Sequence, residues 1–485
     1  MKTIKYIISG ILLAISLNSC DLDTEPTDQV PDYLVLENAE NAEKVLNGTW
    51  AYLMDTYFTY QNPGWKSLLL TSDAMANDVA VQPGKYGYIS HYSFTDINNP
   101  KSTTGRGVWT LAYKGIDNAN HLITKIDGIP GDESLKSRVK AQAYALRGYF
   151  YLNLVTFYSH AYKYDTHALS VPIYLEPTVL NTVGGKRETV EAVYGRAEED
   201  LLEAYNLIGD FKRNTAKHKF DKKVIAGILS RLYLQKEDWK NANKYAAEAG
   251  SSATWMTKNE YLNGFNDQSN SEWIWGHGQI PNQSTASYSF HFQDVSSQSS
   301  YYYSFMADPY FEDFFDKGDV RSELFESDTT RYKGGLMYKK FKFRPDVTAD
   351  IVLMRKAELV LIEAEALAEL GSLPQAITKL NELRTQRGAQ TPDLSSLSKD
   401  ELVEEILIER RKELFGEGFG LYDLKRRQKA VSRKRVADED FVEGTKITKK
   451  GHTVFKFPDG TDFTANSDYY LFAIPDSEIT NNGNL

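Results

Sequence analysis

The chain holds one cysteine, Cys20, among its 485 residues. It cannot close a disulfide on itself, so any fold must be held by a self-sufficient core. The position of that cysteine adds a second constraint. Lys2 and Lys5 lead an apolar run over residues 7–17, followed by Asn18-Ser19-Cys20. A basic start, a run too short for an ordinary membrane span and a small residue before the cysteine form the layout of an export signal with a lipid-attachment thiol. Residues 1–19 are therefore expected to be a signal peptide. Cys20 is expected to be the lipidated first residue of the exported protein, its acyl chains anchoring it at about 0.8 kcal/mol per buried methylene. Asn18 is an unusual residue two positions before such a cysteine.

Hydrophobic residues make up 41% and charged residues 25% of the chain, a globular balance. The net charge of −10 argues against nucleic acid as a partner. After residue 20 no apolar run approaches the length needed to cross a bilayer. Aromatic residues are abundant, with 31 Tyr, 23 Phe and 7 Trp. Tyrosine offers a flat apolar face and a polar tip, so those that fall in loops are where binding is sought.

Residues 20–38 are acidic and turn-prone and read as a tether. Helical periodicity follows. It predicts helices over 38–57, 108–126, 132–159, 189–208, 221–235, 238–249, 349–370, 373–387 and 399–415. Two stretches, around Ala242 and around Ala376, show a long helix, a tight turn and a shorter helix with a small residue near its start. That is the half-signature of tetratricopeptide-like hairpins. The chain reads as mainly α, a helical-repeat scaffold over about 39–57, 108–250 and 349–416 within a single domain, 39–485. Long insertions at 61–107 and 251–348, rich in turn residues and aromatics, interrupt it, and loops of that length tend to be functional. A further segment, 428–470, carries a hairpin signal around Val454-Phe-Lys-Phe-Pro-Asp-Gly-Thr. In Glu272-Trp-Ile-Trp-Gly the alternation predicts a strand with at least one core tryptophan. Trp109 and Trp239 read as packing residues on helices.

Five segments in order resemble the SusD/RagB-type outer-membrane lipoproteins of Bacteroidetes. They are Cys20-Asp-Leu-Asp-Thr-Glu-Pro with Asn41-Ala-Glu-Lys-Val-Leu-Asn-Gly-Thr-Trp, Val139-Lys-Ala-Gln-Ala-Tyr-Ala-Leu-Arg-Gly-Tyr-Phe, Arg355-Lys-Ala-Glu-Leu-Val-Leu-Ile-Glu-Ala-Glu-Ala, Ile408-Glu-Arg-Arg-Lys-Glu-Leu-Phe-Gly-Glu-Gly with Asp423-Leu-Lys-Arg, and Phe472-Ala-Ile-Pro-Asp-Ser-Glu-Ile-Thr-Asn-Asn. Phe419-Gly420 departs from the His-Arg found in many members. The resemblance implies four tetratricopeptide-like units, a lipid-anchored position on the cell surface, and a role in capturing a nutrient, usually an oligosaccharide. The nutrient would pass to a SusC-like TonB-dependent outer-membrane transporter. Asp21, Asp23 and Glu25 resemble the signal that sends such lipoproteins outward.

The motifs of catalysis are missing: no HExxH, GxSxG, Walker loop or dinucleotide glycine pattern occurs. Without a second cysteine there is no thiolate metal cage. No cofactor is expected, and whether the chain holds a metal is left open, because Asp and Asn loops are too common to diagnose calcium. A glycosidase pair remains a rival reading, with Asp73, Asp78 and Glu272 as its suspects. A glycan site needs flat apolar faces against sugar C–H faces, and amides and carboxylates against hydroxyls. The first insertion offers Asp73, Asn77, Asp78, Tyr86 and Tyr88. The second offers His277, Tyr288, His291, Phe292, Gln293, Tyr301, Tyr302 and Tyr303. Family resemblance places the site roughly where the two insertions meet. Peptide import on the same scaffold is a second rival, which predicts a pocket with charged ends, and a purely structural partner protein is a third. The basic clusters Arg410-Arg411-Lys412 and Lys425-Arg426-Arg427 lie beside Glu409, Glu413 and Asp423 and read as bridged or solvated helix faces.

Overall fold

The computed structural model describes residues 36–56, 62–84, 87–282 and 285–485. Cys20 and Tyr86 lie outside them. Helices dominate: α1 Ala39–Leu53, α2 Lys66–Met75, α3 Thr103–Lys125, α4 Glu133–Tyr158, α5 Val190–Leu207, α6 Lys222–Lys236, α7 Trp239–Gly250, α8 Lys356–Glu369, α9 Leu373–Arg387, α10 Lys399–Leu414 and α11 Gly420–Arg426. Most begin on a side-chain cap that satisfies a free backbone N–H. Asn38, Asp132, Thr189, Asp221 and Asp238 cap α1, α4, α5, α6 and α7. Ser398 and Glu401 form a reciprocal capping box on α10.

The helices pack in chain order, α3 on α4, α4 on α5, α5 on α6, α6 on α7, α7 on α8, and α8 on both α9 and α10. This is the expected repeat scaffold. Its two hairpins turn through Glu237 and Gly371, both at positive φ, and Ala242 and Ala376 are fully buried where the second helix of each pair meets the first. The central helix α4 is buried along most of its length. Its neighbour α3 approaches so closely that a Cβ on Gly115 would lie 2.1 Å from the Phe150 ring. Arg147 of α4 ties both neighbours, donating to Asn120 of α3 at 2.8 Å and to Asp200 of α5 at 2.7 and 2.8 Å. Among the described residues no helix is long and apolar enough to cross a membrane.

Strands are short: β1 Val79–Val81, β2 Trp273–His277, β3 Phe305–Ala307, β4 Phe325–Ser327, β5 Leu336–Tyr338 and β6 Ile351–Arg355. They form a four-stranded sheet in the order β1-β3-β5-β4 and a separate β2-β6 pair, all antiparallel. The first sheet joins the two insertions, with Val79 opposite Ala307 and Val81 opposite Phe305.

Four expectations need correction. The helix predicted over 349–370 starts at Lys356, because Ile351-Val-Leu-Met pairs with β2 as a strand and gains cross-strand partners there. The insertion 61–107 contains α2, which has almost no exposed face and so lacks an amphipathic period to read. Helix α1 stops at Leu53, where Met54 turns the backbone out of helix. The 454–461 signal yields a tight turn with one bridge, Lys456 to Asp462, and no ladder. The β2 strand was read correctly, and both of its tryptophans are core. Trp109 is likewise buried.

Candidate aromatic binding rim

The second insertion is fastened to the scaffold by charge. Arg355, at the end of β6, is fully buried and pairs with Glu272 at 2.9 Å and with Glu417 at 2.6 Å. Arg387 of α9 reaches Glu272 at 3.0 Å and Glu413 at 2.8 Å. Arg321 bonds Asp319 at 2.7 Å, Glu409 at 2.5 Å and Glu413 at 3.0 Å. Burial alone would push the carboxyls of Glu409, Glu413 and Glu417 up. The guanidinium and ammonium groups around them overcome it, so Glu409 is drawn down to about 2 by Arg321, Lys412 and Arg384. Glu413 and Glu417 lie below the ordinary value for the same reason.

On this base the segment 285–303 folds into a tiered aromatic rim. The turns Thr285–Ser289 and Phe290–Gln293 present His291 and Phe292 inward. Tyr301 then stacks on His291, 4.1 Å between centroids and 11° between planes. Tyr302 stacks on Phe292 at 4.7 Å and 12°. Tyr288 closes the gap, its hydroxyl 3.2 Å from that of Tyr302. The carbonyl of His291 accepts from the N–H groups of Tyr302 and Tyr303 at 3.1 and 2.8 Å, and its Nδ1 accepts from the Tyr301 N–H at 3.3 Å. Burial lowers the His291 imidazole to about 4, so it is neutral at physiological pH. Tyr301 keeps 64% of its surface in solvent, and Tyr288 and Tyr302 are half-buried. The outcome is an uncharged, amphipathic face whose hydroxyls and ring planes are fixed from behind.

The first insertion supports this rim from below. Tyr88 meets Phe292 edge to face at 4.9 Å. Gly87, at φ 88°, passes so near that a Cβ would sit 2.4 Å from the Phe292 ring. Gln82 donates from its backbone N–H to Ser304 at 2.8 Å. The two insertions therefore do meet.

The predicted residues divide. Tyr288, His291, Tyr301 and Tyr302 gather at the rim. Tyr88 and Phe292 have no exposed surface and act as its floor. Tyr303 is also buried, beneath the Arg331 guanidinium at 3.2 Å. Gln293 turns inward to donate to the Gly416 carbonyl at 2.6 Å. Asp73 on α2, and Asn77 and Asp78 after it, precede β1, at the end of that strand away from Val81 and Phe305. There they serve structure. Asp73 accepts from the N–H groups of Gly418 and Gly420 at 2.7 and 3.1 Å. Its burial raises it to about 7 against those bonds and the nearby Lys66 and Lys340 charges. Asn77 accepts from the Ser432 N–H at 2.8 Å, and Asp78 pairs with Arg411 at 2.5 Å. Asp73 and Asp78 line one cleft beside α10 and α11, yet no free acid pair results, since Glu272 is sealed in the ionic base, Asp73 is capped by backbone, and Asp78 is paired. His277 lies elsewhere, on a cleft beside α1.

Three contributors had no sequence signal. Phe343 packs on His291 at 4.8 Å. Arg331 donates to the carbonyls of Ser297 and Ser300 at 2.8 and 2.9 Å. Asp294 accepts from the N–H groups of Ser296, Ser297 and Phe343 at 2.9–3.0 Å, pinning the loop. Of the basic clusters, Arg410 and Lys412 are buried, and Arg410 is bridged to Asp423 at 3.1 Å.

A family model described as "SusD family" matches residues 326–485, and one described as "Starch-binding associating with outer membrane" matches residues 30–234. A SusD-like carbohydrate binding protein from Bacteroides vulgatus is 42% identical with a TM-score of 0.86, over 92% of this chain and 97% of that one. A laminarin binding SusD-like protein is 22% identical, with a TM-score of 0.64 over 81% of this chain and 92% of its own. A SusD-like protein of Formosa agariphila is 24% identical over 89% of this chain and 93% of its own.

Proposed function

We infer the function from one premise: the chain belongs to the SusD family, whose members are non-catalytic binding proteins. We propose that it binds an oligosaccharide at the rim of Tyr288, Tyr301 and Tyr302 and delivers it to a partner TonB-dependent outer-membrane transporter. The observation that carries this reading is Tyr301, an exposed ring held flat on a neutral histidine. A ring held flat from behind presents an apolar face of the kind that a sugar C–H face can cover, and a preorganised ring loses little entropy when it is covered. The carbohydrate-binding and laminarin-binding descriptions of the two structural neighbours support the same class of ligand. The description "associating with outer membrane" supports the proposed place, with Cys20 as the anchor. Among the described residues the exposed rings of the rim carry no paired charges of the kind that would hold peptide termini.

The test is a calorimetric screen of plant, microbial and host glycans against protein lacking residues 1–20. Saturable binding to one glycan class, weakened about tenfold in Tyr301→Ala without loss of fold, is the expected result. Saturable binding to peptides and to no glycan would refute it.

A further inference from the structure

Positive charge gathers beside the loop that carries the rim. Residues 429–456 hold eight Lys and Arg against four Asp and Glu, in a chain whose net charge is −10. The excess is therefore local. It reaches the second insertion at one point, where the Lys450 N–H donates to the Gly334 carbonyl at 2.8 Å. Gly334 ends the turn that carries Arg331, Tyr332 and Lys333.

Arg331 grips the rim loop. Its Nη1 and Nη2 donate to the carbonyls of Ser297 and Ser300 at 2.8 and 2.9 Å, and Ser300 directly precedes Tyr301. A guanidinium has five N–H donors, so three remain, and the side chain is partly exposed. Lys450 is exposed and lies with its Nζ 4.3 Å from the centre of the Tyr332 ring. A ring face positions a cation without cancelling its charge. Lys333 is exposed on the same turn. The gripped loop exposes Ser296, Gln298 and Ser299, neutral donors and acceptors within a few residues of Tyr301.

These cations are uncompensated. No carboxylate among the described residues pairs with Arg331, Lys333 or Lys450, whereas Lys449 takes Glu312 at 3.9 Å and Asp440 at 3.7 Å. The acids nearest in the chain are engaged. Asp328 is buried and accepts from the N–H groups of Thr330, Arg331 and Tyr332 at 2.8, 2.9 and 2.7 Å. Glu326 pairs with Lys339 at 2.6 Å. The cluster ends at Lys450. Farther on, Lys434 rests on Tyr310 at 3.8 Å, and Asp308, Asp313 and Asp440 surround that ring. Three cations without acids, beside a surface read as a sugar platform, suit a ligand that brings its own negative charge, and a guanidinium fork matches the oxygens of a carboxylate or sulfate.

We propose that the oligosaccharide taken by the rim is acidic, and that Arg331, Lys333 and Lys450 hold its carboxylate or sulfate groups while Tyr301 covers an adjoining sugar face. The proposal rests on the carbohydrate reading above and names the ligand class that the neutral rings leave open.

The experiment is calorimetry with matched probes: a galacturonate hexamer against its neutral galactose counterpart, and a sulfated galactan hexamer against its desulfated form. Phosphatidylglycerol vesicles are the non-sugar anion. One acidic probe should bind about tenfold tighter than its neutral match, and which one it is separates carboxylate from sulfate. That ratio should shrink as salt rises from about 0.1 M to about 1 M, which cuts the Debye length from about 10 Å to about 3 Å. Lys333→Gln combined with Lys450→Gln changes two exposed side chains and should bring the ratio close to one. Neutral probes that bind as tightly as acidic ones, with binding sensitive to Tyr301→Ala, overturn the charge cluster and leave the rim standing. Acidic binding that is lost in the double variant and unmoved by Tyr301→Ala keeps the cluster and overturns the rim. An acidic preference that survives the double variant overturns the assignment to these residues. Binding to the vesicles and to no acidic glycan overturns the ligand class in favour of a membrane contact. No binding by any probe overturns the proposal outright.

Discussion

At the base of the 251–348 insertion, Glu272 meets Arg355 and Arg387 with almost no surface on any of the three. At its rim, Tyr301 keeps most of its ring in solvent and rests on a neutral imidazole. One end joins full charges where no water reaches, and the other exposes neutral rings. The difference separates two jobs. Buried ions tolerate one geometry, because each partner removed leaves an unpaired charge in low dielectric. They therefore fix where the insertion stands. Stacked rings tolerate replacement, because each contact is worth only about 0.5–1.5 kcal/mol beyond its area. They can change while the base stays.

Breaking the base gives the largest expected effect. Arg355→Met takes one buried cation from Glu272, Glu413 and Glu417 together, and urea unfolding should show a loss of about 3–5 kcal/mol. Unchanged or increased stability would mean that the network is dispensable and the contrast false. Acid should act next in size and in a defined window. Folding holds Glu409 near 2, below its ordinary 4.5, so its contribution is complete above about 4.5 and is lost as pH falls toward 2. Melting temperature should drop steeply below pH 4.5. Glu409→Gln should flatten that limb by on the order of 3 kcal/mol, and an unaltered limb would place the acid sensitivity elsewhere. At the rim the signs reverse. Tyr301→Ala should weaken glycan binding about tenfold, or about 1.4 kcal/mol, with the melting temperature unmoved; a fall in melting temperature would make Tyr301 part of the core. The smallest effect should come from Asp78→Asn. Its Arg411 partner is about one-third exposed, and chemical denaturation should register under about 1 kcal/mol.

Sequence carried the scaffold well because its signals are local. Asp221 and Asp238 announce α6 and α7, and Ser398 with Glu401 announces α10, within three residues of the start they cap. The start of β6 was not legible in that way, since Ile351-Val-Leu-Met suits a buried helix as well as a strand. Its partner, β2, lies far back in the chain. Helix α2 was hidden by burial on every side. At the rim, the tract from Tyr288 to Tyr303 was visible as composition, yet nothing local separates Tyr301, which faces water, from Phe292, which never does. Phe343 and Arg331 reach the rim only through the fold. The acidic suspects failed for a related reason. Asp73, Asp78 and Glu272 look alike in sequence, and only tertiary structure shows one capped, one paired and one sealed.

The pairing of β1 with β3 joins residues well over two hundred positions apart through a ladder three residues long. Strands that short do not hold by themselves, and closing so long a loop costs entropy before it returns any contact. The helices between must already be in place when Val81 finds Phe305. Assembly of the rim is then a late event in folding, and Tyr302 stacked on Phe292 certifies that the scaffold behind it is finished. On the proposed function, a ligand captured there would be captured by a complete molecule, and binding would double as a check on folding for a chain that has no disulfide to lock it.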